Sequence, residues 1–180
     1  MGNNWLTQDR TIPDDAVNYG ASGSATRTLN RNGTTQVGKD ETINPVTITL
    51  EFDVDIWKVY LNGELAAWEY SPGVSAQSAF YASSLSSKGV TIKPASKTEA
   101  TIEFDPSAMP DGSNTIEVAF IVDANTPDQE IGKTTVAEVE VTDEVDDIGT
   151  IGGSSGGCSA GLGAIVSVLA AAFFISRKHS

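Results

Sequence analysis

Asn62-Gly63 stands between two runs rich in strand-forming residues, 56–61 and 64–70, and this dipeptide constrains the fold more than any other feature. A two-residue connection of type I′ needs positive φ at both central positions, which Asn and Gly adopt most readily. The pair therefore predicts a tight antiparallel hairpin. A regular two-residue loop sets Leu61 opposite Glu64, Val59 opposite Ala66 and Trp57 opposite Trp68. That face is mostly apolar and is predicted to point inward, with Tyr60 on the other side.

The rest of the central region repeats the same texture. Val46, Ile48, Leu50 and Phe52 alternate with Thr47, Thr49 and Glu51, the period-2 signature of a strand with one buried face. Shorter strands are predicted at Val90–Ile92 and Ala100–Phe104. A long one covers Ile116, Val118, Phe120 and Val122, and a last one runs from Thr135 to Val141. The segment from Asp105 to Gly112 is dense in turn formers, and residues 123–133, with Pro127 and Gly132, close the final hairpin. Residues 74–87 are rich in Ser and Ala and read as loop or short helix. No stretch between residues 40 and 143 keeps helical periodicity over three turns.

About seven strands in about 100 residues, with regular turn signals, is the pattern of an antiparallel β-sandwich. Residues 42–143 are assigned to it. Residues 1–41, rich in Asn, Thr, Ser and Gly, read as a disordered lead-in or linker, with edge pairing by Gln36-Val37 left open. The order of strands, the Asn62-Gly63 hairpin and the Asp111-Gly112-Ser113-Asn114-Thr115 approach to the long strand resemble bacterial immunoglobulin-like domains. That resemblance implies that Trp57 takes the place of the family's buried tryptophan in the third strand. The family's inter-sheet cysteine pair is absent here.

Charge and inventory narrow the chemistry. The net charge is −13, yet no acid lies beyond Asp147; without Arg177 and Lys178, 9 basic residues face 24 acidic ones, a balance of −15. Such a surface repels nucleic acid, so no nucleic-acid partner is expected. The one cysteine, Cys158, and the one histidine, His179, both lie near the C-terminus. Ser-His, Cys-His and histidine-zinc arrangements are therefore excluded from residues 42–143. Carboxylate pairs are available, but a sandwich of this size rarely holds a deep cleft, and no phosphate-cradling Gly motif is present. An enzyme is not expected.

Two binding constellations stand beside bland alternatives. Asp123, Asn125 and Asp128 form the acidic loop proposed for calcium, with Asp53, Asp55, Asp105 and Asp111 in neighbouring turns. Calcium wants six to eight oxygens, whereas Asp in turns ordinarily bonds local backbone. Trp57 and Trp68, with Tyr60 and Tyr70 nearby, offer a sugar-stacking platform. The same tryptophan pair inside a core gives stability without any ligand. Apart from calcium, no cofactor is expected.

The C-terminal region has a different plan. Residues 144–157 pass from acidic to Gly/Ser-rich, and residues 158–180 carry a small-residue and apolar run. Leu162, Ile165, Val166, Val168, Leu169, Phe173, Phe174 and Ile175 form a predicted transmembrane helix. From Cys158 to Ser176 a helix would reach about 28 Å, close to the bilayer's hydrocarbon thickness. Arg177 and Lys178 would stay cytoplasmic and leave the β domain outside. The string Gly156-Gly157-Cys158-Ser159-Ala160-Gly161, after its Ser/Gly linker, resembles the Synergist-CTERM group of bacterial C-terminal sorting signals. The resemblance implies recognition by an intramembrane processing protease near Gly156, Gly157 and Cys158, with Cys158 as the lipidation site. A plain membrane anchor with an incidental Cys158 is the alternative.

The polar start, Met1-Gly2-Asn3-Asn4-Trp5, has neither a basic region nor an apolar core of a leader peptide. An envelope protein with that start is expected to be the C-terminal part of a longer chain. The expected function is a non-enzymatic bacterial cell-surface module, stalk or adhesive, with the membrane and an extracellular protein or glycan as partners. The second expectation is an accessory carbohydrate- or calcium-binding domain of a larger secreted hydrolase.

Overall fold

The computed structural model describes residues 10–21, 26–75, 84–126 and 128–143. The chain divides into two compact units, Met1–Asp146 and Asp147–Ser180, and every described residue lies in the first. The predicted tail therefore falls outside the described residues: Gly156, Gly157 and Cys158, the span residues from Leu162 to Ile175, and Arg177 and Lys178. Among the described residues no helix is long and apolar enough to cross a membrane.

The fold is all-β. Among the described residues there are twelve strands: β1 (Val17–Tyr19), β2 (Thr26–Arg27), β3 (Thr34–Gly38), β4 (Thr42–Ile43), β5 (Val46–Thr49), β6 (Ile56–Leu61), β7 (Glu64–Tyr70), β8 (Leu85–Ser86), β9 (Val90–Pro94), β10 (Glu99–Phe104), β11 (Gly112–Ile121) and β12 (Glu130–Thr142). Single 3₁₀ turns occur at Asp14–Ala16 and Pro106–Ala108. One sheet has the order β1-β5-β10-β9 and a second β3-β12-β11-β6-β7-β8, with β2 and β4 paired separately.

The two sheets enclose one core, which confirms the sandwich character. Val46, Ile48, Ile92 and Ile102 come to it from the four-stranded sheet. Trp57, Leu61, Ile116, Phe120 and Val139 come from the six-stranded sheet. Period-2 alternation explains this directly: on β11 Ile116, Val118 and Phe120 point into the core, while Glu117 does not. Trp57 meets the Phe120 ring edge-on, with centroids 5.3 Å apart.

Three expectations need correction. First, residues 1–41 are not merely a lead-in. Within the described part, β1 pairs with β5 and β3 pairs with β12, while Ile12, Leu29 and Val37 are buried. These strands are short and polar on their outer side, so periodicity alone did not expose them. Their neighbours supply the pairing. Second, the sandwich is not wholly antiparallel, because β3–β12 and β2–β4 run parallel, and its strands outnumber the seven expected.

Third, the Asn62-Gly63 hairpin has another register. Its turn is as predicted, with positive φ at both residues and Leu61 opposite Glu64. A bulge then shifts the pairing between Val59 and Tyr60, so Val59 opposes Ala67, and Trp57 opposes Glu69 rather than Trp68. Ala66 is the extra residue, and both it and Ala67 are buried in the main core. Trp68 consequently lies opposite Lys58, on the face away from Trp57.

Arg10 and Thr142, near the two limits of the described sandwich, lie at opposite ends of β12. Arg10 lies against Gly132, at the start of β12, with its guanidinium 4.6 Å from the Phe52 ring centroid. Thr142 ends the same strand beside Gly38, and its carbonyl accepts from Lys39 N–H at 3.1 Å. Nine residues of β12 separate Gly132 from Thr142, a span of roughly 30 Å. We call these the leading and trailing poles.

Candidate functional site

The outer face of the six-stranded sheet concentrates the buried charge. Alternation along β6 sends Trp57, Val59 and Leu61 inward and Ile56, Lys58 and Tyr60 outward. Lys58 reaches over Ala119, its partner on β11, to Glu130 at the start of β12. Lys58 Nζ and Glu130 Oε2 are 2.5 Å apart, and Tyr60 OH donates to the same oxygen at 2.5 Å. The Lys58 side chain is 9% exposed, that of Glu130 24%. Lys133 Nζ lies 4.1 Å from the Tyr60 ring centroid and 3.7 Å from Glu117 Oε2.

The electrostatics follow from these contacts. Burial alone would lower the Lys58 pKa, but hydrogen bonds to Glu130 and Tyr60 outweigh it and hold the ammonium above the ordinary lysine value. Burial also raises the Tyr60 phenol, and the Glu130 carboxylate adds to that rise. These contacts favour the ammonium form of Lys58, and the Glu130 oxygen is shared by two donors. The arrangement suits bracing β6 against β12 across β11.

Beside this charged half lies an apolar one. Ile56, Trp68, Ile121 and Ala124 form a second small core, packed by Leu65, Tyr70, Val74 and Leu85. Trp68 is 7% exposed and meets the Tyr70 ring edge-on at 5.5 Å; Trp57 is fully buried. The expected sugar platform is therefore not formed: the two indoles occupy opposite faces of the sheet, and neither lies open to solvent. The bulge at Ala66 is the cause.

The acidic turns are occupied by local bonds. Asp123 Oδ1 accepts from Asn125 N at 2.9 Å and from Asn125 Nδ2 at 2.8 Å, and the Asp123 carbonyl accepts from Thr126 N at 2.9 Å. Asp128 is exposed and joins no group of three metal-ligating side chains among the described residues. Asp55 divides its oxygens between Lys97 Nζ at 2.8 Å and Ala124 N at 3.0 Å. Asp105 Oδ1 accepts from Ser107 N at 3.1 Å, and Asp111 pairs with Lys39. Asp123 and Asp105 do the ordinary work of Asp in a turn, whereas Asp55 and Asp111 tie distant segments together.

No local pattern announced the polar groove at the open edge of β3, walled by Thr26, Thr28, Thr34, Gln36 and Glu140. It also did not disclose the Lys58–Glu130 pair, whose members are 72 positions apart.

No family model matches the chain, and no curated protein matches it either. Among solved structures it is similar to a lytic polysaccharide monooxygenase of Jonesia denitrificans, at 19% identity and a TM-score of 0.36. That similarity covers 61% of this chain and 58% of the other, so the chain spans little more than half of that protein's length.

Proposed function

We propose that this protein is a non-enzymatic module of a bacterial cell surface, an immunoglobulin-like stalk fixed to the envelope through residues 152–180. The observation that carries the stalk is that the described residues of the sandwich begin and finish at opposite ends of β12. Arg10 at the leading pole and Thr142 at the trailing pole lie at opposite ends of β12. A module built this way adds its own length between whatever precedes and follows it. A module with adjacent ends would hang to one side.

The immunoglobulin-like assignment draws on strand order. β1, β5, β10 and β9 stand in one sheet as the family's A, B, E and D strands do, and β12, β11 and β6 adjoin as G, F and C. The full burial of Trp57 on β6 supports the position that the resemblance implies for it. The anchoring part draws on the sequence: a Gly156-Gly157-Cys158 motif, an apolar run and Arg177-Lys178 at its far end. Cys158 is the lipidation site in this reading, and calcium and glycans have no assigned role.

The test is to express the chain with its tail in a bacterial host that processes such signals. Protease added to intact cells should degrade the β domain, and mass spectrometry should find a C-terminus lacking Arg177-Lys178-His179. Full-length, untrimmed chain in the soluble fraction would overturn the surface assignment.

A further inference from the structure

We propose that Asn32 is a site of spontaneous deamidation in the folded protein, and that the fold shields its chemical counterpart, Asn62. The chain carries two Asn-Gly dipeptides, Asn32-Gly33 and Asn62-Gly63. Such a pair converts itself without an enzyme. The main-chain nitrogen of the glycine attacks the asparagine Cγ, forming a C–N bond, and the Cγ–Nδ2 bond breaks. The proton of the attacking nitrogen passes through solvent to the departing one, which leaves as ammonia. Water then opens the five-membered imide at either carbonyl and gives aspartate or isoaspartate. Nothing is oxidised or reduced, and water is the co-reactant. Glycine favours the attack because no Cβ screens its nitrogen.

The two dipeptides differ in what holds the carboxamide. Asn62 Nδ2 donates to Asn114 Oδ1 at 2.9 Å, and Asn62 Oδ1 accepts from the Thr115 N–H at 2.8 Å. Asn114 does not follow a moving partner, because it is 1% exposed and its own Nδ2 donates to the Pro110 and Gly112 carbonyls at 2.8 and 2.9 Å. Its oxygen therefore faces Asn62 and takes only a donor. The Asn62 N–H donates to the Thr115 carbonyl at 2.9 Å, which fixes the main chain of the same residue. Bringing the Asn62 Cγ onto the Gly63 nitrogen requires both carboxamide bonds to open. Space is not the obstacle: Asn62 and Gly63 are exposed, and a Cβ on Gly63 would meet nothing within 4 Å.

At Asn32 only the main chain is engaged, its N–H donating to Asn30 Oδ1 at 3.0 Å. Among the described residues nothing bonds the Asn32 carboxamide. The residue is exposed, in the turn that leads into β3, so its side chain is free to swing onto Gly33. Conversion there adds a negative charge beside Arg31, whose guanidinium pairs with Asp14. The isoaspartate form also inserts a main-chain carbon just before β3. Conversion at Asn62 would instead set a carboxylate against Asn114 Oδ1, acceptor facing acceptor, in the turn that closes β6 on β7.

The experiment stores the full chain in detergent at mildly alkaline pH and follows both dipeptides by peptide mapping. The readouts are the mass gain of amide-to-acid conversion and the isoaspartate content of each peptide. In the folded chain Asn32 should convert roughly tenfold or more faster than Asn62, since the two bonds at Asn62 must open first. In strong urea the rates should draw level. Asn114→Ala should speed Asn62 about fivefold, the effect of one lost hydrogen bond, and leave Asn32 unchanged. Equal rates in the folded chain overturn the proposal. So does a gap that persists in urea, which would belong to neighbouring sequence and not to the fold. A folded Asn114→Ala chain in which Asn62 stays as slow as before overturns it too. The comparison of folded chain with urea uses the unsubstituted protein, so it decides even where Asn114→Ala does not fold.

Discussion

The indole N–H of Trp57 donates to Ser71 Oγ at 2.9 Å, and that hydroxyl donates onward to the Val54 carbonyl at 2.6 Å. Ser71 is 2% exposed, so this relay satisfies the one polar atom of a fully buried indole. Ser71→Ala strands the indole donor and leaves the carbonyl short of a partner. The expected cost is about 1–3 kcal/mol. Urea unfolding reads it as a lower midpoint with unchanged slope, and an unmoved midpoint would show that the indole finds another acceptor.

Gly89 and Gly63 make a paired test of backbone against space. Both have positive φ, +71° and +78°. A Cβ on Gly63 meets nothing within 4 Å, whereas one on Gly89 would come to 2.3 Å from the Asp105 carbonyl oxygen. Gly63→Ala is expected to cost about 1 kcal/mol, the left-handed penalty alone. Gly89→Ala must also break the 2.7 Å bond from Asp105 N–H to the Gly89 carbonyl or move it. Its thermal midpoint should fall well below that of Gly63→Ala, and equal midpoints would refute the steric account.

Lys58 and Glu130 predict both a mutational pattern and a pH dependence. Glu130→Ala leaves a buried ammonium without its carboxylate, an expected loss of about 3 kcal/mol. Lys58→Met combined with Glu130→Leu removes both charges and should recover most of it. The Lys58 pKa is raised by its partners and that of Tyr60 by burial. In the window above the ordinary values, the folded protein therefore binds more protons than the unfolded chain. Stability is fully present below about pH 10 and falls as pH rises further. Melting curves across alkaline pH should fall less steeply for the double variant, and parallel curves would dismiss the pair as the cause.

Calcium should leave the thermal midpoint unmoved. Asp123 Oδ1 already accepts two bonds from Asn125, and both oxygens of Asp55 are engaged. A midpoint that climbs with calcium by mass action would restore the ion site at Asp123, Asn125 and Asp128.

Legibility in the sequence followed the strength of local pattern. β5, β6, β10, β11 and β12 were visible because alternation or a turn dipeptide marks each of them. Asn62-Gly63 gave its turn correctly, with φ of 54° at Asn62. β1 was not visible and β3 showed only as an open edge pairing at Gln36-Val37, since Val17 and Val37 are buried or half-buried apolar residues beside polar ones, and their partners make them strands. The bulge escaped notice because Ala66-Ala67 carries no period, and with it went the relation of the two tryptophans. Lys58 and Glu130 meet through register set by β11, which no local spacing reveals. The expectations for the tail rest on its motif and apolar run and lie outside the described residues.

Ala66 acts as a parity element for its strand. An odd residue inserted between two regular stretches decides which side all later positions occupy, so Trp68 belongs to the outer cluster and Trp57 to the inner one. Removing Ala66 would iron out the strand yet leave Trp68 across from Lys58, whereas forcing both alanines into a regular ladder would turn the two indoles to the same side, where Phe120 already fills the space. This stretch therefore tolerates a deletion better than it tolerates straightening.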